Sequence, residues 1–347
     1  MNRKHLLPIL AVGILIVAWM AIFGVHMLAS QHDVSIVAAG DVMIGRDMHK
    51  VLSLGTSPYR NVSNVTSNAD MLLINFDNAA TSNNTPLKKE SPLKCNPGYI
   101  FVARGNNNTV AALANNHVCD YGIGGLKDTI SALDKANITH LGAGLSELEA
   151  HTAVTQEING RSITVLNYVG PDNFKQNING EIPYANGSSG GYSAYDSEEA
   201  KNQIMQAKDN GDFVIVYMNF GNEYSTEPND EQVRIAHELI DDGADVVLGA
   251  HPHVAQGIEK YRGKPIFYSM GNFLYDLDVN ETWDAYMVGI DLLEDKGVCT
   301  VYPVHLANYL PQFMNETNAT AFLNNLTPKS DELEIDGGVA KLEFSLN

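Results

Sequence analysis

A repeated unit limits what this chain can fold into more than any other feature. A short apolar run leads into a loop that opens with Asp, Asn or His, and a helix often follows. Val34–Ala39 ends at Gly40-Asp41, Met71–Phe76 at Asp77-Asn78, and Val110–Leu113 at Asn115-Asn116-His117. Asp212–Asn219 runs into Gly221, and Asp245–Gly249 into His251 and His253. Short apolar runs without alternation predict strands buried on both faces. Further strands are expected at Thr139–Leu141, Ser162–Tyr168 and Pro265–Ser269. Helical spacing predicts helices over Gly124–Ala136, through Leu126, Ile130 and Leu133, over Ser197–Asn210, and over Asp230–Asp242 with Gly243 closing it. Thr81–Gly98 and Phe174–Tyr192 read as irregular, and Tyr286–Asn347 as strand-rich. The rhythm is that of an α/β protein whose polar residues collect at strand ends.

Ahead of the first strand, Leu6–Ala29 contains no Lys, Arg, Asp or Glu. As a helix it spans about 36 Å, against a hydrocarbon core of about 30 Å. Arg3 and Lys4 precede it and Asp33 follows. By the positive-inside bias, residues 1–5 stay cytoplasmic, residues 6–29 form a transmembrane anchor in the lipid bilayer, and residues 34–347 are an exported body. A cleaved signal peptide is the rival reading, but its apolar core usually runs only about 7–15 residues. Asn-x-Ser/Thr sequons at Asn61, Asn64, Asn83, Asn107, Asn137, Asn186, Asn280, Asn315, Asn318 and Asn325 agree with an exported, glycosylated surface. Cys95, Cys119 and Cys299 leave either one bridge and a free thiol or three buried thiols. With 41 acidic against 22 basic residues, the formal charge is −19. Such a body repels nucleic acid and anionic lipid. It accepts an anionic ligand only where a metal reverses the local sign.

The loop clusters supply such a place. They are Gly40-Asp41, Asn75-Phe76-Asp77, Asn115-Asn116-His117 with Asp120 behind it, Asn219-Phe220-Gly221-Asn222-Glu223, and Gly249-Ala250-His251-Pro252-His253. Carboxylates and imidazoles together suit divalent Mn, Fe or Zn. Two such ions about 3.5–4 Å apart can clamp a phosphoryl displacement. Singly, each cluster is weak, because Asp and Asn at strand ends commonly make turns through their own side chains. The His251 and His253 pair is stronger, since residues two apart in extended chain point the same way. His140, His151, His237 and His305 have no clustered partners in sequence and read as structural.

In order and spacing, the clusters resemble the CapA family of capsule or poly-γ-glutamate synthesis proteins, itself similar to calcineurin-like metallophosphoesterases. The carrying segments are Ala39-Gly40-Asp41-Val42-Met43, Leu113-Ala114-Asn115-Asn116-His117 with Asp120-Tyr121-Gly122, and Leu141-Gly142-Ala143-Gly144. To these are added Gly243-Ala244-Asp245-Val246-Val247 with Gly249 and His251-Pro252-His253, then Tyr268-Ser269-Met270-Gly271-Asn272-Phe273. The resemblance runs from Val34 to Tyr275 and implies a four-layered α/β/β/α sandwich. It implies two divalent ions, with metal positions at Asp41, Asp77, Asn116, His251 and His253, and His117 as the catalytic residue. Asn75, Asn219 and Glu223 are possible additions. Two departures stand out. The family usually has Asn-Leu-Glu where this chain has Asn75-Phe76-Asp77, and His-Trp-Gly where it has Asn219-Phe220-Gly221. An amide oxygen at Asn219 is a poorer ligand for Zn or Fe than an imidazole, and suits harder cations better.

Three functions are consistent with this reading. The resemblance implies a role in synthesis, export or anchoring of an anionic surface polymer, with membrane-protein partners supplying the energy. The alternatives are a surface metallophosphoesterase acting on a phosphate ester, with His117 as general acid, and a non-catalytic glycosylated binding protein on the same scaffold, which Asn219 favours.

Overall fold

The computed structural model describes residues 33–52, 57–87, 91–174, 183–328, 330 and 332–346. The expected anchor lies outside these residues, and among them no helix is long and apolar enough to cross a membrane. The strands that place the candidate site are β1 (Val34–Val42), β2 (Met71–Phe76), β3 (Thr109–Ala112), β4 (Arg161–Val169), β5 (Phe213–Asn219), β6 (Val246–Ala250) and β7 (Asn272–Leu274). The helices that cover them are α1 (Gly122–Lys135), α2 (Ser197–Asp209) and α3 (Asp230–Asp241).

Two mixed sheets carry the α/β fold. In a ten-stranded sheet, β1, β2 and β3 run parallel beside Thr139–Leu141. On its other side β1 meets Asp284–Leu292 antiparallel, followed by Lys296–Ala307 and Val339–Ser345. In a six-stranded sheet, β4, β5 and β6 run parallel with Lys264–Phe267, between antiparallel edge strands Val154–Ile158 and Ile258–Tyr261.

Side-chain alternation along each strand explains how the sheets stack. Val34, Ile36 and Ala38 of β1 enter a core shared with Ile163 and Val165 of β4, Ile215 of β5 and Val246 of β6. Val37 and Ala39 point the other way, into a cluster with Leu126 and Leu133 of α1. On the far face of the smaller sheet, Val214 and Val216 meet Ile204 of α2 and Ile235 and Leu239 of α3. Fully burying one such side chain contributes about 1.5–3 kcal/mol. Because the central strands are covered on both faces, they read in sequence as unbroken apolar runs. The Asn229 side chain and Gln232 form a capping box at the start of α3, and Gly243 follows its end at φ 115°.

Two expectations need correction and two others gain detail. Thr81–Gly98 is not wholly irregular, since Lys94–Cys95 pairs with Ala79–Ala80 and a 3-10 helix opens at Pro97. The strand-rich tail contains a helix, Glu316–Asn325, capped by the Asn315 side chain. The four outlying histidines each have a carboxylate partner, namely Asp134 for His140, Glu199 for His151, Glu259 for His237 and Asp284 for His305. Of the two cysteine readings, three buried free thiols is the one found.

Candidate metal centre

The C-terminal ends of the parallel strands are in register, so their terminal polar residues line up. Asp41 stands opposite Asn75 of β2 and Asn272 of β7, and Asn219 opposite Val169 and Ala250. The sheets are tied together beneath these ends by the Tyr217 hydroxyl, which donates to the Ala39 carbonyl at 2.6 Å. Asn167 adds a second tie, donating to the Tyr217 carbonyl at 2.8 Å and accepting from the Ala114 backbone at 2.7 Å. The register of β1 against β2 slips between Ala39 and Asp41, at Gly40. There the Gly271 carbonyl comes close enough to accept the Asp41 amide at 3.0 Å.

Asp41, Asp77 and His253 are buried and offer ligand atoms that all lie within 4.8 Å of one another. Asn75 donates to Asp41 Oδ1 at 2.7 Å, which fixes that carboxylate. His253 Nδ1 lies 3.1 Å from Asp41 Oδ2 and 3.0 Å from Asn272 Oδ1. The Tyr275 hydroxyl donates to Asp77 Oδ2 at 3.1 Å. Burial opposes a charge on His253, but the hydrogen bond and charge of Asp41, then the charges of Asp77 and Glu223, raise it to about 9. Burial, then the charges of Asp77 and Asp41, push the Tyr275 hydroxyl well above its ordinary value. Two buried carboxylates side by side demand a cation. The mixed oxygen and imidazole donors suit a divalent transition ion, so the residues fit the group that the sequence implies.

The remaining expected residues gather around this cluster in different ways. His251 Nδ1 lies 3.3 Å from Asn116 Oδ1, and the His251 and His253 rings are 6.2 Å apart. Both histidines hold left-handed backbone, at φ 102° and 63°, a strain that tends to concentrate at functional loops. Asn219 Oδ1 accepts the Asn173 amide at 3.1 Å, while its buried Nδ2 has no hydrogen-bond partner among the described residues. Glu223 is exposed and stands outside the three-residue group.

His117 Nδ1 lies 2.8 Å from Asp120 Oδ2, which also accepts the Leu93 amide at 2.6 Å. That pairing fixes one ring nitrogen and so the orientation of the imidazole. Asp120→Ala removes a buried acceptor shared by two donors and is expected to destabilise the fold by about 2 kcal/mol. Urea unfolding checks this, and an unchanged midpoint would show that the pairing contributes nothing.

Sequence reasoning missed Asn272, Tyr275, Asn167 and Asn173 as parts of the site. Asn272 had a signal, because it lies in the Tyr268–Phe273 segment that carries the resemblance. The others act through contacts that no local pattern encodes.

Residues 35–277 match the model of a family described as Bacterial capsule synthesis protein PGA_cap. The chain is 32% identical over 317 residues to the PGA biosynthesis protein CapA of Bacillus subtilis, covering 89% of this chain and 81% of that protein. It is 30% identical over 321 residues to the Capsule biosynthesis protein CapA of Bacillus anthracis, covering 88% and 76%. A probable polyglutamine synthesis accessory protein of Mycobacterium tuberculosis is 30% identical over 218 residues, covering 60% of this chain and 56% of its own length.

Proposed function

The chain belongs to the bacterial capsule synthesis protein PGA_cap family, and from that membership together with its buried carboxylate and imidazole cluster we propose a membrane-anchored accessory protein for an anionic surface polymer that carries a divalent-metal site. Asp41, Asp77 and His253 hold one ion, and Asn116 and His251, whose side chains approach to 3.3 Å, are the ligands offered for a second. The layers around them are those of a four-layered α/β/β/α metallophosphoesterase-like sandwich, formed by residues 34–347 as one exported unit. Leu6–Ala29 serves as the single-pass anchor, with the sequon-bearing body outside the cytoplasm.

The observation that carries this reading is the approach of three ligand atoms from three separate strand ends to within 4.8 Å of one another in a buried place. A bound ion would supply Lewis-acid polarisation of a phosphoryl or carboxylate oxygen. The chain's own residues do the rest. Asn75 orients Asp41, Asn272 orients His253, Tyr275 orients Asp77, and Asp120 fixes His117. The relatives named for PGA and capsule biosynthesis support the polymer as the partner.

The oriented His117 favours a second reading, hydrolysis of a phosphate ester with this imidazole as proton donor. The non-catalytic binding scaffold remains the third, because Asn219 stands where the family usually has a histidine. Elemental analysis of the full-length chain, purified without chelator and reloaded with Mn, Fe or Zn, tests the metal site. Bound metal near two ions per chain supports it. No metal under any loading leaves the family resemblance as one of fold alone. Turnover of a model phosphodiester separates the first two readings.

Asn219→His is expected to raise metal affinity roughly tenfold or more, because an imidazole replaces an amide already engaged by Asn173. Metal titration checks it. Unchanged affinity would remove position 219 from the ligand set.

A further inference from the structure

Arg46 follows the Asp41 loop and holds a left-handed backbone at φ 43°. Its side chain is 39% exposed, yet its guanidinium is anchored on Asp276, whose side chain is only 3% exposed. Nε and Nη2 both donate to Asp276 Oδ1, at 2.9 and 2.5 Å, and Asp276 Oδ2 accepts the Asp47 amide at 2.7 Å. The guanidinium carbon stands 5.6 Å from the centre of the Tyr275 ring. That ring is 4.8 Å from the His253 ring, and its hydroxyl binds Asp77. One aromatic ring therefore separates this cation from the carboxylate and imidazole cluster.

A second group flanks the same histidine. The Tyr224 ring lies 6.2 Å from His253 and is 47% exposed. Its backbone is left-handed at φ 63°, and its amide donates to the Pro252 carbonyl at 2.8 Å, which docks the loop after β5 onto the His251 and His253 turn. Burial and then Glu223 raise the Tyr224 hydroxyl, while Arg46 acts in the opposite direction, as a nearby cation does. Two strained loops from different sheets thus bring a guanidinium and a phenol to the rim of the same site. In a chain of formal charge −19, a rim cation has a particular use for an incoming anion.

We infer that Arg46 and Tyr224 form a rim subsite that binds an oxyanion of the ligand, a phosphate or a carboxylate, beside the metal centre; this rests on the metal-site reading above. Asp276 anchors the partly exposed guanidinium and so restricts the plane it presents, and a planar guanidinium suits carboxylate and phosphate oxyanions. Tyr224 supplies a hydroxyl donor beside His253.

The test uses the full-length chain loaded with Mn. Inorganic phosphate and a short glutamate oligomer are titrated separately into the wild type, Arg46→Gln, Arg46→Lys and Tyr224→Phe, with metal content measured for each protein. Arg46→Gln is expected to keep its metal and lose about tenfold or more in affinity for at least one probe. Arg46→Lys should lose less, since it keeps the charge without the fork, and Tyr224→Phe a fewfold. A loss confined to phosphate identifies a phosphorylated ligand, and one confined to the oligomer a polycarboxylate. Should Arg46→Gln not fold, Arg46→Lys and Tyr224→Phe carry the same comparison. Metal-loaded variants that bind both probes as tightly as the wild type overturn the inference and leave the metal site standing, as does a wild type that binds neither probe. A wild type without metal overturns both.

Discussion

Gly40→Ala is expected to destabilise the protein by about 3 kcal/mol or more, and to empty the candidate site of metal at the same time. A Cβ at this position would lie 1.8 Å from the Gly271 carbonyl oxygen and 2.9 Å from its carbon. Both are backbone atoms, so no rotamer change relieves the overlap. The chain can escape only by parting β1 from β7. That carbonyl is also the acceptor of the Asp41 amide, so the same movement displaces Asp41 from Asn75 and His253. Urea unfolding and metal analysis on one preparation check the two effects together. Gly124→Ala is the control, because nothing lies within 4 Å of its added methyl and it sits on exposed helix. It should be neutral or stabilising by up to about 1 kcal/mol. A Gly40→Ala protein as stable as the control would mean that β1 and β7 do not approach in this way.

Asp41→Asn should lower metal affinity by at least about 100-fold, beyond the 10–100-fold typical of residues that only support a ligand. The change is isosteric and keeps an oxygen, but removes the charge that a divalent ion needs. It also removes the largest influence raising the pKa of His253, since burial alone lowers it. Asn75 donates to Asp41 Oδ1 at 2.7 Å and His253 faces Oδ2, so an amide in that place must turn a donor toward one of them. Thermal unfolding should show the variant folded, because the shared apolar core beneath it is untouched. His251→Ala should lower bound metal as well. Unchanged metal content in both variants would remove the ligand assignment. Glu223→Gln, on an exposed side chain, should change affinity by less than about threefold.

Much of this arrangement is legible in sequence because its strands are buried on both faces. Val34–Ala39 and Met71–Phe76 show as apolar runs for that reason, and the polar residue closing each run marks where a strand meets its loop. The spacing of Asp41, His117, His251 and His253 was readable, since each follows such a run closely. The supporting layer was not. Tyr275 and Asp77 are 198 positions apart, and Tyr217 and Ala39 are 178 apart. The first exists only once β7 has paired beside β1, and the second only once two sheets have stacked. The helix Glu316–Asn325 was hidden for another reason. Its start signal is Asn315, and in a stretch full of Asn and Thr a capping side chain looks like any turn residue. Arg46 was overlooked because a single basic residue in a loop carries no pattern at all.

The direction of β1 has a consequence for where the site lies. From Val34 to Asp41 the strand advances about 23 Å at about 3.3 Å per residue, and it does so away from the end that joins the proposed anchor. The first described residues and the candidate site therefore lie at opposite ends of one strand. Were Leu6–Ala29 to anchor the chain as proposed above, this strand would set the site apart from its attachment.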